Sequence, residues 1–144
     1  MERDQLMNSA RAVGRFDVDL SPLPPSDETA GGWLGRMSIV KTFSGDLSGT
    51  SRGEMLTAGT AVKGSAGYVA IERVAGSLHG RSGSFILQHT GTMNRGAPQL
   101  TITVVPDSGT EQLAGLSGQL SIRIADGQHH YEFDYSLPEA PQSF

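Results

Sequence analysis

Three ionisable side chains sit on faces that are otherwise apolar. Lys41 shares its face with Met37, Ile39 and Phe43, Glu72 with Tyr68, Ala70 and Val74, and His89 with Phe85 and Leu87. Tyr131 and Tyr135 flank Phe133 in the same alternating way. Successive residues of a β-strand point to opposite sides, so each of these groups occupies one face of its strand. If the apolar faces line a single interior, Lys41, Glu72, His89 and the tyrosine hydroxyls meet inside it. Buried charges are costly unless paired, which makes Lys41 and Glu72 the natural ion pair. Burial and neighbours can tune an enclosed Glu or His toward neutral pH. Glu72 and His89 are therefore the candidate catalytic acid–base pair, and Lys41, Tyr68, Gln88, Tyr131 and Tyr135 the candidate ligand contacts. Tyr68 or Tyr131 would donate to a ligand oxygen. The opposing expectation is a satisfied core network, because structural ion pairs perturb titration as readily as functional ones. Two strands read both ways: Val69, Ile71 and Arg73 form the other face around Glu72, and Gln88 shares a face with Ile86.

Other motifs carry less. Gly49-Thr50-Ser51-Arg52-Gly53 matches the nucleophile elbow of hydrolases, but that motif needs a strand-to-helix turn, and no helix pattern follows it here. His129 and His130 are adjacent and point apart. His79 and His89, read as one strand, lie roughly 33 Å apart, so neither pair can share a metal. Asp17 and Asp19 lie opposite an apolar face and read as solvated. No glycine-rich phosphate loop opens a helix. No metal and no cofactor is expected.

The elements that must position these groups are strands. Phe16, Val18 and Leu20 alternate with Arg15, Asp17 and Asp19; similar runs cover Trp33 to Phe43, Asp46 to Thr57, Gly67 to Val74, Leu78 to Thr90, Leu100 to Val105, Leu116 to Ile124 and Tyr131 to Leu137. Ser21 to Ser26, Ala75-Gly76, Asn94 to Pro98 and Pro106 to Gly109 read as breaks, and Asp126-Gly127 as a two-residue hairpin turn. The 19 glycines among 144 residues include three Leu-x-Gly-x-Ser segments, at Leu47, Leu78 and Leu113, which read as corners of a closing sheet. Eight antiparallel runs joined by short turns predict an all-β fold, an eight-stranded meander closed into a barrel, with a two-sheet sandwich as the alternative. Closure leaves room for side chains or one small ligand. The domain is expected over residues 12–137, between a flexible N-terminus (1–11) and a tail (138–144).

Composition narrows the function. The net charge is −4 and the 11 basic residues are scattered, which argues against a nucleic-acid partner. There is no Cys, hence no disulfide or thiolate site. No secretory pattern opens the chain and no apolar run is long enough to span a membrane, so a cytoplasmic protein without membrane association is expected.

Lys41 to Leu47, Gly67 to Arg73, Gly80 to His89 and Val104 to Gly118 resemble a bacterial family of small proteins of unassigned function, whose fold is grouped with the allene oxide cyclase barrel. The resemblance implies an eight-stranded, allene oxide cyclase-like barrel that forms a homo-oligomer, dimer or trimer. It carries no cyclase motif onto these residues. The expected function is binding of a small apolar molecule in the lumen, with cyclase or isomerase chemistry. The alternatives are a non-catalytic carrier and a structural or partner-binding oligomer, with residues 21–26 and 138–144 as contact segments.

Overall fold

The structure, a computed structural model, describes residues 7–25 and 32–139. Eight strands follow one another: β1 (Met7–Leu23), β2 (Leu34–Gly45), β3 (Leu47–Gly59), β4 (Ala66–Leu78), β5 (Arg81–Asn94), β6 (Ala97–Val104), β7 (Ser117–Ala125) and β8 (Gln128–Pro138). Each pairs antiparallel with the next, and β8 returns to β1, so the meander closes into a barrel as the alternation predicts. The sandwich alternative is excluded by that closure.

Asp126-Gly127 is the hairpin turn expected of it, with both residues at positive φ (53° and 73°). That backbone matches the twist of antiparallel strands, and glycine adopts it without steric cost. The β4–β5 turn differs from expectation. Ala75 and Gly76 stay inside β4, paired with Thr50 and Gly49 on one side and Ser84 and Gly83 on the other. The chain reverses at His79-Gly80 instead, at φ 46° and 83°. His79 therefore belongs to a turn and not to the strand of His89. Gly76 resembles a breaker only in sequence. A Cβ there would stand 2.7 Å from Gly49 Cα, so its absence lets β3 and β4 approach closely.

β1 is longer than the alternation predicts at both ends. Residues 7–11, expected to be a flexible arm, pair with β8, and Arg11 binds Asp134 at 2.7 and 3.1 Å. Pro22 lies within β1 opposite Met37, where only β2 flanks the strand, the one-sided setting in which a strand proline is tolerated. The rest of the expected loop, from Ser26, and the tail beyond Glu139 lie outside the described residues.

The two ends of the barrel differ. At one end, residues 105–116 fold across the opening and are tied to β5 by Val105 N–H to Ile86 O and Thr110 N–H to Ser84 O, each 2.9 Å. Leu113 and Leu116 of this segment are buried and belong to the same core cluster as Phe85, Phe133 and Tyr135. The three Leu-x-Gly-x-Ser segments meet here but are not equivalent corners. Leu47 starts a strand, Leu78 ends one and Leu113 closes a 3-10 turn (Glu111–Leu113), and all three are fully buried. They share a packing role, filling the capped end. At the other end the inward-facing Leu20, Met93, Leu100 and Ile124 are 41–68% exposed, which marks a mouth. β6 and β7 pair only at Thr103 and Gln119, near the capped end, so this seam is unzipped toward the mouth. Among the described residues no helix is long and apolar enough to cross a membrane.

Candidate functional site

The strands that carry Lys41, Glu72 and His89 are consecutive in the sheet, and the register brings them to one height. Lys41 of β2 faces Ser51 of β3, Gly53 of β3 faces Glu72 of β4, and Ala70 of β4 faces His89 of β5. The small residues matter here: Ala70 leaves room beside the imidazole, and Gly53 lets the β4 backbone approach. A Cβ on Gly53 would collide with the Ile71 carbonyl oxygen and stand 2.6 Å from Glu72 Cα. Gly53→Ala is therefore expected to open the β3–β4 ladder beside Glu72. Denaturant unfolding should show a loss of about 1–3 kcal/mol, the usual cost of overpacking a tight interior. An unchanged midpoint would mean that the two backbones are not held at this spacing.

Lys41, Ser51, Glu72 and His89 are all buried, Glu72 completely. The Lys41 ammonium donates to Glu72 Oε2 at 2.7 Å and the Ser51 hydroxyl to Oε1 at 2.7 Å. His89 Nε2 also bonds to Oε2. The Lys41 Nζ lies 4.9 Å above the centroid of Phe16 and 5.9 Å from that of Phe43, a cation–π seat that covers its remaining side. Among the described residues no buried side-chain polar atom lacks a partner. Burial pushes the Glu72 carboxyl up, but the His89 hydrogen bond and the charge and hydrogen bond of Lys41 outweigh it and hold it at about 2.

This geometry assigns roles. A carboxylate only accepts, so His89 Nε2 must carry a proton, and with the imidazole neutral its Nδ1 is an acceptor. The Tyr68 hydroxyl lies 3.4 Å from that Nδ1. Burial, with the charge of Glu72, raises the Tyr68 phenol above its ordinary value and keeps it a donor. Glu72 is thus too acidic to serve as a base near neutral pH. Its carboxylate is bonded by Lys41, Ser51 and His89 together, which fixes the orientation of the His89 ring.

Tyr68 is the member of the cluster that reaches open space. It lines an apolar pocket of about 300 Å³ in the mouth, together with Met55, Gly91, Met93 and Leu100. Its ring lies across Gly91, where a Cβ would stand 2.9 Å from Tyr68 Cδ1.

Of the residues singled out from sequence, Lys41, Tyr68, Glu72 and His89 come together, and three do not join them. Gln88 is exposed and has the opposite parity to His89, so it faces outward from β5. Tyr131 is inward but lies at the capped end, where its hydroxyl accepts from Leu47 N–H at 2.8 Å and lies 3.0 Å from Ser44 O, pinning the β2–β3 turn. Tyr135 is also at the capped end, bonded to His79. The sequence reading missed Ser51 as a cluster member. It lies an even number of residues from the buried Leu47, a parity that places it on the interior face.

Comparison with known proteins places these features in a family. Residues 12–135 match the family model described as "Protein of unknown function (DUF3224)". A crystal structure of a DUF3224-family protein of unknown function from Shewanella oneidensis MR-1 is 51% identical. The match covers 92% of this chain and 100% of that one, with a TM-score of 0.87. No curated protein matches.

Proposed function

Since this chain belongs to the DUF3224 family, whose fold by itself fixes no activity, we propose from the geometry of its lumen that it captures a small, uncharged, largely apolar molecule in the mouth of the barrel and holds one oxygen of it on the Tyr68 hydroxyl. The observation that carries this reading is the placement of Tyr68, which lines an apolar pocket on one side and is backed by His89 and Glu72 on the other. A site with mostly apolar walls and a few fixed polar groups is the usual form of a small-molecule site. Charge selects within that class. Lys41 and Glu72 already neutralise one another, so a ligand carboxylate at Tyr68 would be a buried anion without a partner of its own. Ketones, alcohols and esters fit; carboxylic acids in their ionised form do not.

The same chain of groups favours a second step, proton withdrawal of the kind an isomerase or cyclase uses. In this step the Tyr68 hydroxyl, turned from the ligand oxygen to donate to His89 Nδ1, would take a proton from the α-carbon of the bound ketone while passing its own to Nδ1, leaving an enolate, and Glu72 would stabilise the imidazolium that forms. A passive carrier would hold the ligand without this exchange. Incorporation of solvent deuterium into a bound ketone, followed by NMR, separates the two.

Capture itself is tested by thermal shift on the full chain with a panel of ketones, alcohols and esters. A ligand at a hundred times its dissociation constant adds about 2.7 kcal/mol to apparent stability. Neutral compounds should raise the Tm, and Gly91→Ala, which pushes the Tyr68 ring off its seat, should abolish the shift. A panel in which no neutral compound raises the Tm would sink the reading.

A further inference from the structure

The outer face of the barrel carries a second feature that the lumen does not use. Arg52 of β3 and Arg73 of β4 are direct cross-strand partners on the outside of the sheet. Side chains so placed have Cβ atoms roughly 5 Å apart, and like charges there are unfavourable. Among the described residues neither arginine is in a salt bridge, and the nearby Glu54 is taken by Arg36 at 2.6 Å. Arg73 is further fixed by one bond, Nη2 to Ser84 Oγ at 3.0 Å, which leaves most of its donors free. Beside this pair the same face turns apolar: Ile71, Val69 and Leu56 are 44–50% exposed. Arginines and apolar side chains line one groove of about 820 Å³.

We infer that this groove binds a single-chain amphipathic carboxylate, with its head between Arg52 and Arg73 and its tail along Ile71 and Val69. Two guanidinium groups facing each other offer paired donors to a carboxylate, which would also relieve their repulsion. Two-residue steps along a strand cover roughly 7 Å, so the path from Arg73 past Ile71 to Val69 spans roughly 14 Å, about the length of an extended ten- to twelve-carbon chain. Charge argues against a second copy of this chain as the occupant, because a two-fold axis through this face would set the arginine pair against its own image. The site is independent of the lumen, which selects uncharged molecules.

The test is an NMR titration of the full chain with decanoate, decanol and inorganic phosphate. Decanoate is expected to move the amides of Arg52, Arg73, Ile71 and Val69, and decanol and phosphate to act on those same amides at least tenfold more weakly. Arg52→Gln and Arg73→Gln should each weaken decanoate roughly tenfold, the effect of losing one charge-assisted bond, and Tyr68→Phe should leave it unchanged. The inference is overturned if decanol moves the Arg52, Arg73, Ile71 and Val69 amides with the affinity of decanoate, if either arginine variant binds decanoate like the parent, or if the decanoate shifts map to Gly91, Met93 and Leu100 in the mouth. It is equally overturned if sedimentation shows the face buried in a dimer that decanoate does not disturb.

Discussion

Glu72→Ala is expected to cost the fold about 3–5 kcal/mol, the usual penalty for removing one partner of a buried ion pair. The substitution strands the Lys41 ammonium, which has Glu72 as its carboxylate partner and is almost inaccessible to water. It also releases Ser51 and His89, both of which bond to the same carboxylate. For a chain of this size each kcal/mol lowers the Tm by roughly 2–4 °C, so a fall of about 10 °C should be seen by calorimetry. Replacing both ends of the pair, Lys41→Met with Glu72→Leu, should recover much of the loss, because well-packed apolar residues can substitute for a buried pair. A loss below about 1 kcal/mol for Glu72→Ala would mean that the cluster is wet and that its charges are satisfied by solvent.

The same carboxyl sets an acid limit. Its folded-state value of about 2 lies below the ordinary 4.5, so the stability it contributes is complete above about pH 4.5 and is lost as the pH falls toward 2. The gap corresponds to on the order of 3 kcal/mol. Denaturant midpoints measured between pH 5 and 2 should fall for the parent chain, and Glu72→Gln should flatten that fall. Parallel curves for the two proteins would place the acid sensitivity elsewhere.

The second large effect concerns binding. Tyr68→Phe should weaken an uncharged ketone or alcohol by roughly five- to a hundredfold, because the ligand oxygen then sits in an apolar mouth without a donor, at a cost of about 1–3 kcal/mol. The ring and its packing across Gly91 are retained, so a hydrocarbon of the same shape should bind both proteins alike. Titration calorimetry with such a matched pair of ligands isolates the hydroxyl. Equal affinity of the ketone for both proteins would show that the oxygen does not lie on Tyr68. If proton withdrawal occurs, deuterium incorporation should also collapse in His89→Ala, with the ketone still bound.

Much of this architecture is local and therefore legible in the sequence. Alternation is a property of each strand alone, so the inward parity of Lys41 follows from its neighbours, whereas Glu72 and Tyr68 share their strand with an opposite face of Val69 and Ile71 that is equally apolar; Asp126-Gly127 reveals its turn because two successive positive φ angles favour those residues. The pairing of Lys41 with Glu72 follows from the cost of burying either alone. Where both faces of a strand were apolar, parity was undecided. Ile86 beside Gln88 and Leu87 beside His89 offered two readings of β5, and only enclosure by β4 and β6 turned His89 inward and Gln88 out.

Height along the barrel was decided by tertiary structure alone. It depends on how each strand is staggered against its neighbours, and that stagger is set by turns and close approaches between residues distant in sequence. Hence Tyr131 and Tyr135, inward as expected, fall at the capped end, where their hydroxyls bond to the β2–β3 turn and to His79. Tyr68 falls at the mouth. Ser51 joins Glu72 because β3 and β4 close tightly at Gly53, and the β4–β5 reversal moves to His79-Gly80 because Gly49 and Gly76 let the same two strands stay paired beyond Ala75. Where one face of a strand alone was apolar, residue type and parity determined which groups face the interior; strand stagger decided which of them reach the mouth, because a side chain's depth in a barrel is fixed by its neighbours' register and not by its own segment.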